Sequence, residues 1–466
     1  MIGDLFSPLP IWAQVLFWVV LGIIVCSLIS IVTLLAAAGR FAALTRRRER
    51  DALARRPEGA PPDESRFLWV FVVPALNEEV TIADSIARLR ATNATDAVFL
   101  VIDDGSTDAT GEILASIDDP RLSVLTRTPP DARQGKAAAL NAGYRHVREH
   151  LLTQPRYASF TADRVIIVVV DADGRLDANA PDAAARQFAD GGVGGVQTLV
   201  RIYNRRGWLT WAQDVEFSSF GLVYQAGRSW WGTANMGGNG QFTRLAALES
   251  VDAGEGPWRD RLTEDQDLGV RMIQAGWASV HVNDVSVDQQ GLNSVRRLYR
   301  QRVRWAQGAW QAFSLLGGVA RPRLPLPARV DAVWYLLTPA LQLLTGVAFV
   351  TSIVLALAEG FTYRPTHWWV LVFFIGLSFG PGVASLALRG RRWWSPFAAL
   401  VLVIPYTLYS WVVFPVLAVA LIRQAAGRTS WAKTARESTG PATDGSAGAA
   451  SEHAAPAASA RVGDTE

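Results

Sequence analysis

A chain of 466 residues, half of them hydrophobic, has room for one large domain with accessory segments, and its composition leans toward a membrane protein. Its one cysteine, Cys26, lies in an apolar run, which excludes a disulfide framework and a thiolate metal site. The formal charge of +3 does not call for a nucleic-acid partner, because the basic clusters RRRER at 46–50 and GRR at 390–392 stand beside apolar runs, where they bear on membrane topology.

The first element is the uncharged run at 11–38, which exceeds the ~20 residues that span a bilayer. A secretory signal would carry basic residues in front, but here Asp4 precedes the run and the arginines come after it. Residues 1–39 therefore read as a transmembrane helix with its N-terminus outside, and 40–65 as a basic cytoplasmic linker. From residue 66 the pattern changes. Apolar runs FLWVFVV at 67–73, VFLVI at 98–102 and VIIVVV at 165–170 alternate with helix-like stretches such as GKAAALNAGYRHV. That alternation predicts an α/β domain over 66–325 with a parallel sheet covered on both faces. In such sheets ligands bind beyond the carboxyl ends of the strands.

Each of these strands runs into an acidic turn. PALNEE comes after the first run, DDGSTD after the second and DADG after the third. One such turn is ordinary turn chemistry, but three together exceed what turns require. Asp171 and Asp173 are two apart, so in extended chain they point the same way, as a pair of hard oxygen ligands for Mg²⁺ or Mn²⁺. Asp103 and Asp104 diverge, one free to face a ligand while the other holds the loop, and Gly105 permits the turn. Lys136 opens a helix behind a glycine, a place for a diphosphate or equally for an ordinary surface lysine. In LTEDQDLGVRM, Thr263 and Gln266 have the spacing of a capping box, and Asp265 stands where a helix N-terminus can present a general base. In YRQRVRWAQGAW, at 299–310, Gln301, Arg304 and Trp305 share a helix face that Gly308 continues. An indole offers a platform for a sugar ring and an arginine fork matches diphosphate oxygens. Three further apolar spans are expected at 332–358, 367–388 and 397–422, none with an ionisable residue near its middle, which argues against an ion-coupled transporter. An even total of four spans leaves the C-terminus outside, in conflict with Arg423, Arg428, Lys433 and Arg436. Residues 326–424 form the C-terminal membrane region, and 425–466 a basic and then disordered tail.

PALNEE, VIDDGSTD, VDADG, TED and QRVRW, in that order over residues 72–308, resemble the membrane-embedded processive family 2 glycosyltransferases, which include cellulose, hyaluronan, chitin and poly-N-acetylglucosamine synthases. The resemblance implies a GT-A, Rossmann-like domain inserted between transmembrane helices, a UDP-sugar donor and Mg²⁺ or Mn²⁺. By position it implies nucleotide-sugar contacts at Asn77, Glu78, Asp103, Asp104, Lys136, Asp171 and Arg302, and metal ligation at Asp171 and Asp173. It implies catalytic roles for Asp265, Glu264 and Arg304, a QxxRW motif of Gln301, Arg304 and Trp305, and an acceptor-lining loop with Gly238, Asn239 and Gln241. The implied reaction is inverting polymerisation of a β-linked polysaccharide at the inner, plasma membrane, with the catalytic domain cytoplasmic. The alternatives are transfer of one sugar to a lipid carrier, or an inactive nucleotide-sugar sensor. Expected partners are the donor, a growing polysaccharide or lipid acceptor, and the bilayer. Four spans are few for a polymer channel, which points to a homodimer or a small membrane partner, and no nucleic acid is expected. Replacing Asp265 by Asn is expected to lower transfer by roughly 10²–10⁴-fold while leaving UDP binding intact, measured as turnover beside nucleotide titration; normal turnover would remove Asp265 from the base role.

Overall fold

The run LWVFVVPA becomes β1 (Leu68–Ala75), buried without a break from Leu68 to Val73 because helices cover both faces of the sheet it centres. In this computed structural model, residues 9–57, 59–320, 324–358, 379, 380, 382–384, 386, 387 and 394–428 are described. β2 (Asp96–Asp103), β3 (Leu122–Thr126) and β4 (Val165–Val169) run parallel to β1 in the order β3-β2-β1-β4. The other half is mixed. β7 (Gln241–Arg244) is antiparallel to both β4 and β6 (Val193–Ile202), β8 (Ala278–Gln289) is parallel to β6, and the two-residue β5 (Arg175–Leu176) closes the edge. The expected parallel sheet is thus realised from β3 to β4 and again between β6 and β8, with the reversed β7 inserted between the two parts. The reversal of β7 has a use: Gln241 pairs with Val169, so the turn that enters β7 reaches the edge where the parallel strands end.

Alternate residues of β1 feed two cores, as the two-residue period of a strand requires. Trp69, Phe71 and Val73 pack with Ile82, Ile86 and Leu89 of α2 (Ile82–Arg90) and with α5 (Ala180–Phe188). Leu68, Val70 and Val72 pack with α4 (Lys136–His146), α8 (Leu245–Val251) and Leu268 and Met272 of α9 (Glu264–Ala275). The short α3 (Thr110–Ala115) comes after the β2 loop. α6 (Trp208–Ser219) and α7 (Ala226–Ser229) lie between β6 and β7, and α10 (Val295–Gln311) and α11 (Leu316–Val319) come after β8.

Among the described residues three stretches are long and apolar enough to cross a membrane: 11–52 within α1 (Ile11–Arg55), α12 (Leu326–Ala358), and 395–425, which comprises α13 (Ser395–Ser410) and α14 (Val413–Ala425). They turn large apolar side chains outward, such as Val15 and Val19 on α1, Val350 and Val354 on α12 and Leu400 and Val401 on α13, as lipid contact requires. The basic segment at 46–50 is helical, because α1 continues to Arg55. The expected span at 367–388 lies outside the described residues apart from a few positions after 378, and so does the tail beyond 428.

Ion pairs tie these helices to the sheet domain. On α1, Glu49 meets Arg186 of α5 at 2.8 Å. On α12, Asp331 accepts from Arg228 of α7 through Nε at 2.7 Å and Nη2 at 3.2 Å, with both side chains only 6% exposed. Such a pair is weak evidence of net stability, but removing one partner strands a buried charge. Asp331→Leu is expected to lower the stability of the solubilised protein by ~3–5 kcal/mol, and Arg228→Leu in the same chain to restore most of it. Thermal unfolding of both variants checks this, and an undisturbed single variant would show the pair to be dispensable.

Candidate active site

α4 and α9 both begin at the carboxyl edge of the sheet, and their first residues meet there. The Lys136 ammonium donates to Asp171 Oδ1 at 2.6 Å and to the Gly238 carbonyl at 3.0 Å, and stands 3.9 Å from Glu264 Oε1. A Cβ placed on Gly238 would come 3.0 Å from Lys136 Nζ and 3.3 Å from Asp265 Oδ2, so Asp265 borders the same space. Burial pulls the Lys136 pKa down, but the carboxylates of Asp171 and Glu264 outweigh it and hold the ammonium above the ordinary lysine value. Burial pushes Glu264 up to about 7, helped by the charge of Asp265 and opposed by Lys136 and Arg304. Asp265 is also raised, again chiefly by burial, against the pull of Lys136 and the Gln266 amide. The ammonium thus faces carboxylates whose full ionisation is resisted, which is how a general base is brought near neutral pH.

The DADG turn supplies the next wall. Asp171 donates its backbone N–H to Asn239 Oδ1 at 3.1 Å, and Asn239 Nδ2 donates to Gln289 at 3.1 Å. Asp173 is buried and accepts from the Gln290 amide at 3.1 Å. Among the described residues no three His, Cys, Asp or Glu side chains converge as a metal cage. Two aspartates in one turn nonetheless fit Mg²⁺ or Mn²⁺, which is commonly held by one or two carboxylates and completed by substrate phosphate oxygens. Gln241 is buried in β7 and donates to Thr243 at 3.1 Å.

Asn77, Glu78, Asp103 and Asp104 form a second group, at the last residue of β2 and in the loops after β1 and β2. Asn77 adopts φ 53° and accepts from the Thr107 amide at 2.8 Å, while Glu78 accepts from Thr81 at 3.0 Å. Asp103 holds the next turn by accepting from the Ser106 amide at 2.9 Å, across Gly105 at φ +80°, a conformation that suits glycine. Asp104 pairs with Arg127, and burial, the largest influence, leaves its pKa raised despite that partner. The two aspartates diverge as their adjacency requires.

α10 closes the other side. Gly308 lets it press on the start of α9, where an added Cβ would collide with the Thr263 side chain, and Gln311 accepts from the Leu262 amide at 3.1 Å. Arg304 is close enough for its charge to act on Glu264. Arg302 turns the other way, to Glu216 of α6 at 2.6 Å and the Tyr409 hydroxyl of α13 at 3.3 Å, and these contacts engage it away from the carboxylates. Its guanidinium lies 4.3 Å from the Trp305 ring centroid, and that ring meets Phe217 edge-on at 6.0 Å. Gln301 accepts from Arg302 at 3.2 Å. The Thr263–Gln266 spacing does not produce a capping box: the Thr263 hydroxyl donates to Gln266 Oε1 at 3.3 Å, and the Gln266 amide is taken by Asp265 Oδ1 at 2.9 Å. Competition from the adjacent carboxylate is the physical reason. Gln197, which no motif singles out, accepts from the Gly237 amide at 2.8 Å and donates to the Asn239 carbonyl at 2.8 Å, bracing the glycine loop. A glutamine in the middle of the apolar strand VGGVQTLV was the available signal.

A family model described as "Glycosyltransferase like family 2" matches residues 68–308, just over half of the chain. The chain belongs to that family. A beta-monoglucosyldiacylglycerol synthase of Nostoc sp. is 28% identical over 387 residues, 79% of this chain and 76% of the relative. A poly-beta-1,6-N-acetyl-D-glucosamine synthase of Staphylococcus aureus is 26% identical over 253 residues, 52% of this chain and 55% of the relative. The solved mannosyltransferase PcManGT of Pyrobaculum calidifontis, in complex with GDP-Man and Mn²⁺, superposes with a TM-score of 0.52 at 19% identity, covering 86% of this chain and 99% of that one, which establishes the GT-A fold. In this glycosyltransferase, transfer is expected to rise with pH through about 7 as the Glu264–Asp265 pair gives up its second proton. Lys136→Met removes the cation that favours both anions, so the acidic limb is expected to move up by about one unit. A pH–rate profile reads this, and an unmoved limb would show that the ammonium does not tune the pair.

Proposed function

We propose that this enzyme transfers one sugar from a nucleotide-activated donor, UDP-glucose by preference, to a hydroxyl of a membrane lipid, with inversion at the anomeric carbon. The observation that carries the reading is the extent of similarity to the Nostoc synthase: 387 residues are more than the family domain holds, so the likeness runs into the segments that flank it. This replaces processive polymerisation as the preferred reading. The polymer reading draws support from the QRVRW motif and from the Staphylococcus relative, which is matched over a shorter share of the chain.

In the proposed reaction the acceptor hydroxyl gives its proton to the Asp265 carboxylate as its oxygen bonds the anomeric carbon, and the bond from that carbon to the diphosphate breaks. Lys136 and Arg304 supply positive charge where the diphosphate departs. Asp171 and Asp173 would hold Mg²⁺ or Mn²⁺, whose charge would offset that of the same diphosphate. Asn77, Glu78, Asp103 and Asp104 shape the nucleotide side, with Asn77 and Asp103 fixing the loops. Gln301, Trp305, Gly238, Asn239 and Gln241 belong to the acceptor side, and Arg302 sets the helix on which Trp305 and Arg304 stand. The enzyme is proposed to sit in the plasma membrane with the sheet domain cytoplasmic, since the arginines at 46–50 lie at the end of α1 nearest that domain.

The test supplies labelled UDP-glucose, UDP-N-acetylglucosamine or UDP-galactose, with Mg²⁺ or Mn²⁺, to protein in diacylglycerol-containing vesicles. A product that extracts into organic solvent and carries one sugar is expected. A long, glycosidase-sensitive polymer would overturn the lipid reading and restore the synthase one.

A further inference from the structure

Gln266 sits beside the proposed base and is held at three points. Its backbone N–H donates to Asp265 Oδ1 at 2.9 Å, its side-chain oxygen accepts from Thr263 at 3.3 Å, and its Nε2 donates to the Tyr335 hydroxyl at 3.2 Å. Tyr335 does not belong to the sheet domain. It lies on α12, one of the membrane-length helices. Its hydroxyl also accepts from Asn235 Nδ2 at 2.7 Å. Asn235 begins the loop that, three residues on, places the Gly238 carbonyl on Lys136. One phenolic oxygen therefore joins the start of the catalytic helix to the loop that holds the ammonium.

The tyrosine is itself fixed. Asp331 lies one turn before it on the same face of α12. The Arg228 guanidinium that grips Asp331 also lies 4.4 Å from the Tyr335 ring centroid. Next to it in the chain, Leu336 of α12 packs with Val270 of α9 and with Leu315 and Val319, so the two helices share an apolar contact as well as the polar one. A side chain clamped on one side by an ion pair and bonded on the other to a neighbour of the base can set the direction of a carboxylate without touching substrate.

We infer that Tyr335 is a positioning residue for catalysis, through which the membrane-length helix α12 orients Asp265 by way of Gln266. The inference rests on the proposed role of Asp265 as base. It makes the rate of transfer depend on how α12 sits against α9, so that the helix does more than anchor the domain.

Tyr335→Phe keeps the ring over Arg228 and removes only the hydroxyl. Its kcat is expected to fall about tenfold, the size of one well-placed hydrogen bond, with the donor KM within about twofold of wild type. Gln266→Met is expected to lower kcat similarly, and the double variant to be no worse than Tyr335→Phe, because the bond that Gln266→Met removes is one that Tyr335→Phe has already cut. A donor KM that rises while kcat holds, or losses that simply multiply, would assign Tyr335 to packing alone and overturn the inference. Asp265→Asn in the same assay separates the two levels. If it is inactive while Tyr335→Phe turns over normally, the positioning role fails and the base assignment stands; if Asp265→Asn turns over normally, the base assignment fails and the inference with it.

Discussion

The Lys136 ammonium, wedged among Asp171, Glu264 and Asp265, is the contact on which the rest of the site depends. Three carboxylates from two elements could not share so small a partly buried space without a cation to offset them. The cation is in turn fixed by geometry rather than by charge alone, since the Gly238 carbonyl takes one of its protons. Each partner arrives by a different route. Asp171 comes from the end of a parallel strand, Gly238 from the turn before an antiparallel one, and Glu264 and Asp265 from a helix start. The mixed character of the sheet is what allows these routes to converge, because only a reversed strand can bring its entry turn to the edge where its neighbours leave.

The second constraint is mechanical. The helix carrying Glu264 and Asp265 is pressed on by α10 at Gly308 and bonded to α12 through Gln266. α10 is bound to α14 as well: Gln307 donates to Gln424 Oε1 at 3.3 Å and to the Arg428 carbonyl just beyond α14 at 2.7 Å, and Val303 and Ala306 pack on Val416, Leu417 and Ala420. Arg302 joins α10 to α6 and α13 around the Glu216 carboxylate, to which the Tyr409 hydroxyl also donates at 2.6 Å. The polar network thus continues from the site into helices of membrane length. The arrangement makes the apolar helices and the Glu264 and Asp265 carboxylates parts of one packed unit. Family membership sets the chemistry, while the extent of likeness to a lipid glycosyltransferase is what favours a lipid acceptor over a growing polymer.

The strand runs, the alternating helices and the acidic turns after 73, 102 and 170 were legible in the sequence, because periodicity and turn chemistry are local properties. So were the membrane-length stretches at 11–38, 332–358 and 397–422, whose apolar length speaks for itself. The glycine at 308 could be placed on the face of Gln301, Arg304 and Trp305 from its helix position, although not against the Thr263 side chain it makes space for. Other features were out of reach. Whether Thr263 caps its helix depended on Asp265 winning the Gln266 amide, a competition among neighbours that spacing does not rank. The direction of Arg302 depended on Glu216 and Tyr409, which are 86 and 107 positions away. The roles of Gln197 and Tyr335 were equally remote, each resting on partners from other elements. By itself, then, the sequence determined three of the parallel strands, the apolar spans and the residue types that gather at those strand ends, since these depend on near neighbours. Only the tertiary structure decided the reversal of β7, the convergence on Lys136 and the link from α12 to the catalytic helix, because each requires groups far apart in the chain to compete for one hydrogen bond or one small volume.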